Sequence, residues 1–255
     1  MNEQSATNKA AWEYRAYEFW IKRDGHPKEK AKEIRKNPRA CLKNPRACLK
    51  NPRAFLENVE NKKIANLCGS NGRKAVPLAL LGAEVTVFDL SKENERYAKE
   101  LAYYANTSIN YMVGDVYDIN LQSYGETFDI LYLEGGVLHY FYDLDKLLSL
   151  LFSLLKKGGT MILSDYHPLL KCLNEDFSAK HAYFDTEIHT GDIAYKHFFP
   201  EEEQVGFPDV SLRFYTLSEI LNAVITARFT IDRFEEHRGW KKENIPWEFT
   251  LITRK

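Results

Sequence analysis

Three polar residues, one amide and two acids, each lie at the end of a hydrophobic run. A glycine-containing loop begins at the amide. Asn66 opens the loop NLCGSNG, which ends at Gly72; Asp89 closes the run VTVFD, and Asp115 follows NYMVG. A tight turn between a strand and a helix points backbone N–H groups at an anionic group. An acid at the end of the next strand can accept hydrogen bonds from both hydroxyls of a ribose. These residues predict a site for a ribose-containing cofactor.

The elements that must position these residues alternate between strand and helix patterns. This alternation indicates a parallel, doubly wound α/β sheet, in which ligands bind at the carboxyl ends of the strands. A capping box from Thr216 to Glu219 predicts a late helix. The strands at 229–236 and 247–255 are joined by a link too short for a crossover helix, so we expect an antiparallel pair. The earlier strands are predicted at 62–67, 83–91, 109–119, 128–136 and 160–168, and the helices at 73–81, 91–105 and 143–159.

Taken in order, the motifs of this chain resemble the class I S-adenosylmethionine-dependent methyltransferases. The motifs are IANLCGSNGRKA, VTVFDLS, GDV, FDILYLEGGVLHYF and LLKKGGTMILSD, and the resemblance covers about residues 61–165 and 213–255. GDV and the terminal strand pair separate this family from NAD-binding proteins, which use an acid like Asp89 for the same purpose. The resemblance implies a seven-stranded, Rossmann-like sheet, mostly parallel with a C-terminal antiparallel hairpin. It also implies S-adenosylmethionine as cofactor and S-adenosylhomocysteine as product.

The same resemblance implies a role for each cofactor-binding residue. The glycine loop would hold the methionyl carboxylate, Asp89 the ribose and Asp115 the adenine amino group, while Leu90 and Val116 pack on the adenine ring. Glu134 and Gly135, at the end of the fourth strand, would lie beneath the methionyl part. The complete predicted set is Asn66, Cys68, Gly69, Ser70, Asn71, Gly72, Asp89, Leu90, Asp115, Val116, Glu134 and Gly135.

The loop departs from the family pattern D-x-G-x-G-x-G. Asn66 replaces the acid, and Cys68 and Ser70 replace two of the three glycines. Residues with a side chain restrict the backbone angles that the loop can adopt, and Gly69 is the residue that could restore some of this freedom. A protein that binds the cofactor without catalysis therefore stays open as an alternative.

The methyl acceptor requires its own pocket and, for a neutral amine or hydroxyl, a base. His139, which follows the fourth strand, is the first choice for the base or for a residue that orients the acceptor; a structural histidine is the alternative. An amphipathic helix is predicted from about residue 8 to 22, and its aromatic residues could cover the cofactor or pack on the sheet. The candidate pocket residues are Trp12, Tyr14, Trp20, Tyr140, Tyr166 and His167.

We divide the chain into an N-terminal helical cap, residues 1–60, and a methyltransferase domain, residues 61–255. Residues 166–212 are too long for a simple strand-to-helix connection and are expected to form a lid or substrate insertion. Within it, AYFDTEIHT and IAYKHFF flank Gly191-Asp192, which predicts a β-hairpin. The histidines His181, His189 and His197 are assigned to this surface, and no metal site is predicted.

Charge and composition narrow the acceptor class. The segment 22–53 contains twelve Lys or Arg residues and three acidic residues, so it carries about +9, while the whole chain carries −1. This basic arm leaves RNA or protein methylation open, but the acidic body repels phosphate. The amino-methylase and Pro-Cys motifs of DNA methyltransferases are missing from the residues after strand four. A small-molecule acceptor is favoured, and nucleic acid is disfavoured as a partner.

The sequence also bears on the compartment. The four cysteines form no CxxC pair, which argues against a disulfide framework and against zinc. No apolar run approaches the length of a membrane span, and the amphipathic N-terminus contains acids, so it is neither a signal nor a transit peptide. We expect a cytoplasmic protein with no membrane association.

The heptapeptide KNPRACL occurs three times between Lys36 and Leu56, with Phe55 as the only change. Proline excludes a coiled coil. Asn-Pro instead predicts the start of a helix, with Asn as N-cap and Pro in the first helical position. We interpret the repeat as a tandem duplication that lengthens a surface link. The arm is also a candidate for contacts in a homodimer.

Overall fold

The computed structural model of this chain describes residues 3–42, 56–174, 176, 178–239 and 244–255. These residues group into two units by their contacts. The first unit comprises residues 3–42, 59–119 and 189–212, and the second comprises the other described residues. In the described ranges, no helix has the length and apolar character needed to cross a membrane. The predicted division into a helical cap, residues 1–60, and a methyltransferase domain, residues 61–255, stays a prediction. The N-terminal helices and the first three strands share one unit.

The described elements alternate along the chain as expected. The helices are α1 (Glu3–Glu13), α2 (Ala16–Asp24), α3 (Pro27–Lys36), α4 (Pro38–Cys41), α5 (Ala75–Leu80), α6 (Lys92–Ala105), α7 (Leu121–Tyr124), α8 (Leu144–Leu154), α9 (Pro168–Cys172) and α10 (Leu217–Thr226). The strands are β1 (Lys63–Leu67), β2 (Glu84–Asp89), β3 (Asn110–Val113), β4 (Phe128–Glu134), β5 (Leu155–Tyr166), β6 (Ile188–Gly191), β7 (Val210–Arg213), β8 (Thr230–Arg238) and β9 (Pro246–Arg254).

Seven of these strands form one sheet in the order β3-β2-β1-β4-β5-β9-β8. In the first unit, β1 and β3 both lie parallel to β2, with Asn66 opposite Val87 and Asp89 opposite Val113. This register brings the carboxyl ends of the three strands to one edge. In the second unit, β4 and β5 are parallel, and β9 pairs antiparallel with β5 and β8. The predicted doubly wound sheet with its C-terminal antiparallel pair is confirmed.

The helix caps follow from local sequence. Ser91 accepts a hydrogen bond from the backbone N–H of Asn94 at the start of α6. Thr216 and Glu219 form the predicted capping box of α10. Three predicted boundaries were too late: the helix expected over 143–159 ends at Leu154, the strand expected over 109–119 ends at Val113, and the strand expected over 160–168 already begins at Leu155. The second difference arises because Asp115 caps a short 3-10 helix, Val116–Asp118.

The single N-terminal helix expected over residues 8–22 was wrong. The structure has two helices, because Arg15 adopts a left-handed conformation with φ 53° between α1 and α2. Its guanidinium lies 2.7 Å from Glu18 and 2.6 Å from Glu203, both measured between nitrogen and oxygen. These two ion pairs fix the side chain at the break.

The predicted hairpin around Gly191-Asp192 was also wrong in its pairing. β6 lies beside β7, and residues Lys196–Phe198 form a 3-10 turn. Tyr195 explains the difference, because its ring stacks on Phe19 at 4.6 Å between centroids and its hydroxyl donates to the carbonyls of Ala11 and Tyr14. The apolar residues that suggested a strand instead hold the segment against the N-terminal helices.

The first copy of the heptapeptide confirms the predicted helix start. Asn37 precedes α4, its side chain accepts a hydrogen bond from the backbone N–H of Ala40, and Pro38 occupies the first helical position. The backbone carbonyl of Cys41 accepts a hydrogen bond of 3.0 Å from the ammonium of Lys74. The second and third copies lie outside the described residues, except for Leu56.

Candidate functional site

The glycine loop follows β1, and three alternate residues in it adopt left-handed backbone conformations. The φ angles are 50° at Cys68, 53° at Ser70 and 76° at Gly72. A residue with a side chain in this region is strained by about 1–2 kcal/mol. Cys68 and Ser70 therefore leave the backbone of the loop in the shape that glycine favours. They adopt the conformation that a glycine would take without strain.

Gly69 and Gly72 let other groups approach the loop closely. A Cβ atom on Gly69 would lie 2.6 Å from Oδ1 of Asn66 and 2.8 Å from Cγ1 of Val87. A Cβ atom on Gly72 would lie 2.8 Å from the Cβ atom of Ala98 in α6. All three distances are too short for non-bonded contacts, so each position accommodates only glycine. The loop is thereby packed tightly over the end of β1 and against α6.

Hydrogen bonds from three directions hold the loop within the first unit. The backbone N–H of Ser70 donates to Oδ2 of Asp89 at 2.9 Å, and the hydroxyl of Tyr111 donates to the backbone carbonyl of Ser70 at 2.8 Å. Asn71 is fully buried, and its side-chain amide donates to Asp24 at 2.9 Å. The loop is therefore tied to β2, to β3 and to the C-terminal end of α2.

Asp89, at the end of β2, is a buried carboxylate held by three donors. Beyond the bond from Ser70, its Oδ1 atom accepts from the backbone N–H of Ser91 and from the side-chain amide of Asn94, each at 3.0 Å. Asn94 in turn accepts a bond of 2.7 Å from the indole N–H of Trp20. Burial raises the pKa of Asp89, and these hydrogen bonds oppose that effect. Donors placed in this way fix the carboxylate at the edge of the sheet.

Asp115, after β3, has one bonded and one unbonded carboxylate oxygen. Its Oδ1 atom accepts from the backbone N–H of Tyr117 at 3.0 Å. Its Oδ2 atom is buried and finds no donor among the residues that the structure describes. A buried acceptor without a donor is costly unless a ligand supplies one. Next to it, Val116 is buried and Leu90 is half-buried.

The end of β4 belongs to the second unit and is rich in positive φ angles. Gly135 has φ 102° and Gly136 has φ 79°. A Cβ atom on Gly136 would overlap the ring of Tyr166, whereas one on Gly135 would meet no atom within 4 Å. The carboxylate of Glu134 accepts a hydrogen bond from the hydroxyl of Tyr132. The loop after β4 therefore leaves open space at Gly135 and contacts Tyr166 at Gly136.

A cavity opens within the second unit, beyond the loop that follows β4. The space that it encloses is about 20 Å³, and the volume rises to about 290 Å³ when the open solvent at its mouth is included. The structure brings His139 and Tyr166 together there, with their ring centroids 6.3 Å apart. The lining residues are Leu138, His139, Asp165, Tyr166, Pro168, Lys171, Phe214, Tyr215 and Ile220.

Asp165 lines the cavity, and its carboxylate binds the loop that carries His139. Its Oδ2 atom accepts from the backbone N–H groups of Val137 and Leu138 at 2.8 and 2.9 Å. Its Oδ1 atom accepts from the backbone N–H of Tyr166 at 2.6 Å. Burial raises the pKa of this carboxyl, and the three N–H groups oppose the shift. Asp165 thus fixes both the His139 loop and the end of β5.

Burial makes the charged form unfavourable for both basic residues of the cavity. It lowers the pKa of His139 well below the ordinary value, and the positive charge of Lys171 lowers it further. Burial also lowers the pKa of Lys171, although the nearby Asp165 acts in the opposite direction. The imidazole of His139 is therefore neutral at neutral pH, where it can accept a proton or a hydrogen bond.

The other predicted pocket residues lie outside this cavity. Trp12 packs edge-on against Tyr195, and Tyr14 packs edge-on against Phe207. Trp20 is buried against Asn94. Tyr140 lies beside His139, with 4.2 Å between ring centroids, but does not line the cavity. The three N-terminal residues all pack within the first unit.

His167 has a structural position. Its Nδ1 atom accepts from the backbone N–H of Leu169 and so caps α9, and its Nε2 atom lies 2.9 Å from Oε1 of Glu236. Burial lowers the pKa of His167, and the nearby Glu236 opposes that change. Both ring nitrogens therefore face groups of the protein.

Sequence reasoning missed three residues of these sites. Asn94 could have been found, because it lies in the first turn of the helix that follows Asp89. Asp165 could also have been found, since it lies near the carboxyl end of the strand predicted over 160–168. Lys171 carries no sequence signal, because a lone lysine on a short helix is usually solvated.

The sequence of this chain is similar to those of known methyltransferases. Residues 67–163 match the family described as "Methyltransferase domain". The ubiquinone biosynthesis O-methyltransferase of Mesorhizobium japonicum is 31% identical over 114 residues, which is 45% of this chain and 45% of that protein. The match therefore spans less than half the length of that relative.

Solved structures show the same fold at low identity. An S-adenosylmethionine-dependent methyltransferase from Mesorhizobium loti aligns with a TM-score of 0.61 and 22% identity, over 80% of this chain and 95% of that one. The magnesium protoporphyrin IX methyltransferase of Synechocystis PCC 6803, crystallised with bound SAM, aligns with a TM-score of 0.59 and 13% identity. That alignment covers 100% of this chain and 98% of the other.

Proposed function

We propose that this chain transfers the methyl group of S-adenosylmethionine to a small-molecule acceptor, because residues 67–163 match a methyltransferase domain and the chain resembles the class I S-adenosylmethionine-dependent methyltransferases. The observation that carries the proposal is the buried Oδ2 atom of Asp115, which has no donor among the described residues. An exocyclic amino group of adenine is the donor that would satisfy it. This assignment agrees with the role that the family resemblance gives to Asp115.

The remaining cofactor contacts follow from the first unit. Asp89 would accept hydrogen bonds from the ribose hydroxyls, and Leu90 and Val116 would pack on the adenine. The backbone N–H groups of the loop from Asn66 to Gly72 would face the methionyl carboxylate. Gly69 allows the tight turn of this loop, because a Cβ atom there would overlap Asn66 and Val87. Glu134 and Gly135 of the second unit keep the methionyl role that the resemblance implies.

When bound, S-adenosylmethionine would supply a methyl group whose bond to the positively charged sulfur breaks as an aligned nucleophile attacks the methyl carbon in line. The contribution of this chain is to position the acceptor and to exclude water. We assign acceptor binding to the cavity of the second unit, which has aromatic walls and few polar groups, as ligand sites commonly do. His139 would accept a hydrogen bond from the acceptor there and so orient it, because its imidazole is neutral; its lowered pKa makes it a weaker base than an ordinary histidine.

A small molecule is the acceptor class that the relatives support, since their names specify ubiquinone biosynthesis and a magnesium protoporphyrin. The RNA or protein alternative depends on the basic arm. In its described part, Lys30 pairs with Glu33 and Lys32 pairs with Glu29, so some of the positive charge is already compensated. Among the described residues, Cys41, Cys68 and Cys172 form no disulfide, which is consistent with the proposal of a reducing, cytoplasmic location.

An activity screen separates the three functions. The protein is incubated with S-adenosylmethionine and either a small-molecule panel, total RNA or a protein extract, and S-adenosylhomocysteine formation is measured. We expect product only with members of the small-molecule panel, and none with Asp89→Ala. Salt-sensitive turnover with RNA, or turnover with protein, would replace the proposal. Binding of S-adenosylhomocysteine without turnover in any arm would support a binding-only function.

A further inference from the structure

The cavity of the second unit contains a cation with no hydrogen-bonding partner among the described residues. Lys171 lies on α9 and points between two aromatic rings. Its ammonium is 4.9 Å from the ring centroid of Tyr166 and 5.9 Å from that of Phe214. Such cation–π contacts replace only part of the hydration that the ammonium loses. An anionic ligand is the group that would complete its environment.

Two other charged groups near the cavity, Asp165 and Arg213, already have partners within the protein. The carboxylate of Asp165 accepts three backbone hydrogen bonds. Arg213 forms an ion pair with Glu219 at 2.8 Å. Lys180 is exposed and does not line the cavity, but its positive charge lowers the pKa of Lys171. His139 is neutral at neutral pH, so Lys171 is the charged donor that stays available for a ligand.

The walls of the cavity specify the rest of the ligand. Tyr166 and Phe214 present aromatic faces, while Leu138 and Ile220 are buried aliphatic residues. The hydroxyl of Tyr215 is not available for a ligand, because it donates to the backbone carbonyl of Phe141 at 2.6 Å. A flat, apolar body with one anionic end matches this combination of surfaces.

We propose that the cavity binds an aromatic carboxylate, with the carboxylate paired to the ammonium of Lys171 and the ring of the ligand extending toward the open mouth of the cavity. The proposal rests on the proposed function, since it names the class of methyl acceptor. Lys171 is a binding residue that selects acceptors by charge. His139 lines the same cavity and contacts another part of the acceptor.

A titration with benzoate and its neutral isostere benzamide tests this charge selection. Ligand-observed NMR is used on the full chain, with and without S-adenosylhomocysteine. Because a hydrogen bond to a charged group contributes about 1.5–3 kcal/mol, we expect benzoate to bind at least about tenfold more tightly than benzamide. Lys171→Met should remove this preference, and Lys171→Arg should retain it. The control Lys146→Met, an exposed lysine of the same unit, should leave both affinities unchanged.

Equal binding of benzoate and benzamide by the unsubstituted protein would overturn the inference, as would failure of both to bind. A preference that survives in Lys171→Met would also overturn it, because another residue would then select the charge. The proposed function is tested by a separate readout in the same samples. Failure to bind S-adenosylhomocysteine would contradict the methyltransferase proposal, whereas the benzoate preference reports on Lys171 alone.

Discussion

The side-chain amide of Asn94 donates a hydrogen bond of 3.0 Å to the carboxylate of Asp89. The carbonyl oxygen of the same amide accepts a bond of 2.7 Å from the indole N–H of Trp20. The indole therefore fixes which end of the amide faces the acid. A tryptophan in the N-terminal helices thus orients the carboxylate to which we assign the ribose.

This relationship predicts that Trp20 supports cofactor binding without touching the cofactor. Trp20→Phe keeps the aromatic ring but removes the N–H donor, so Asn94 can rotate. Since one hydrogen bond contributes about 1 kcal/mol, we expect S-adenosylhomocysteine to bind roughly fivefold more weakly. Calorimetric titration measures this change. Trp12→Phe is the control, because Trp12 packs against Tyr195 and should leave the affinity unchanged; an equal loss in both variants would refute the positioning role.

The left-handed conformation of Ser70 predicts that glycine stabilises the protein there. Ser70→Gly relieves about 1–2 kcal/mol of backbone strain, and the greater freedom of glycine in the unfolded chain offsets part of this. We expect the free energy of unfolding in urea to rise by about 0.5–1 kcal/mol. The same change at Ser149, exposed within α8, should lower it by about 0.5–1 kcal/mol. A loss of stability at both positions would contradict the strain at Ser70.

The buried state of His139 predicts a pH-dependent contribution to stability. Burial and the charge of Lys171 lower its pKa, so below about pH 6.5 the unfolded chain binds more protons than the folded one. The contribution of the neutral imidazole is therefore present above about pH 6.5 and is lost as the pH falls below it.

Urea unfolding of the unsubstituted protein and His139→Gln at about pH 7.5, 6.5 and 5.5 measures this effect. We expect the two free energies of unfolding to converge as the pH falls. The pKa values of His167 and His237 are also lowered, but both proteins share these residues. Parallel pH profiles would show that His139 titrates alike in the folded and unfolded chains.

The repeat predicts that two of its three copies are dispensable. Deleting residues 36–49 leaves one complete unit, KNPRAFL, which retains the Asn-Pro helix start. That unit can supply a backbone carbonyl to Lys74 as Cys41 does now. We expect the deletion to preserve the circular dichroism spectrum and the affinity for S-adenosylhomocysteine. Loss of either property would show that the length of the segment matters.

The sheet and the acids at its carboxyl edge could be predicted because hydrophobic runs, glycines and terminal acids report on local backbone geometry. Asp89 ends β2, and Asp115 follows β3. The helix break at Arg15 could not be predicted, because contacts with the distant Glu203 hold it. The hairpin prediction failed for the same reason, since Tyr195 is fixed by α1 and α2. The position of Lys171 in the cavity could not be predicted, because it depends on the rings of Tyr166 and Phe214 that surround it in space.

The central claim is that Asp115 accepts the adenine amino group, and calorimetric titration with S-adenosylhomocysteine tests it most directly. Asp115→Asn keeps an oxygen to cap Tyr117 but places an amide N–H₂ where the buried Oδ2 atom lies. We predict saturable binding by the unsubstituted protein. In this variant we expect the affinity to fall by at least about tenfold. Asp118→Asn, at a nearby exposed acid, should bind as the unsubstituted protein does. Equal affinities in all three proteins, or no binding by the unsubstituted protein, would contradict the account.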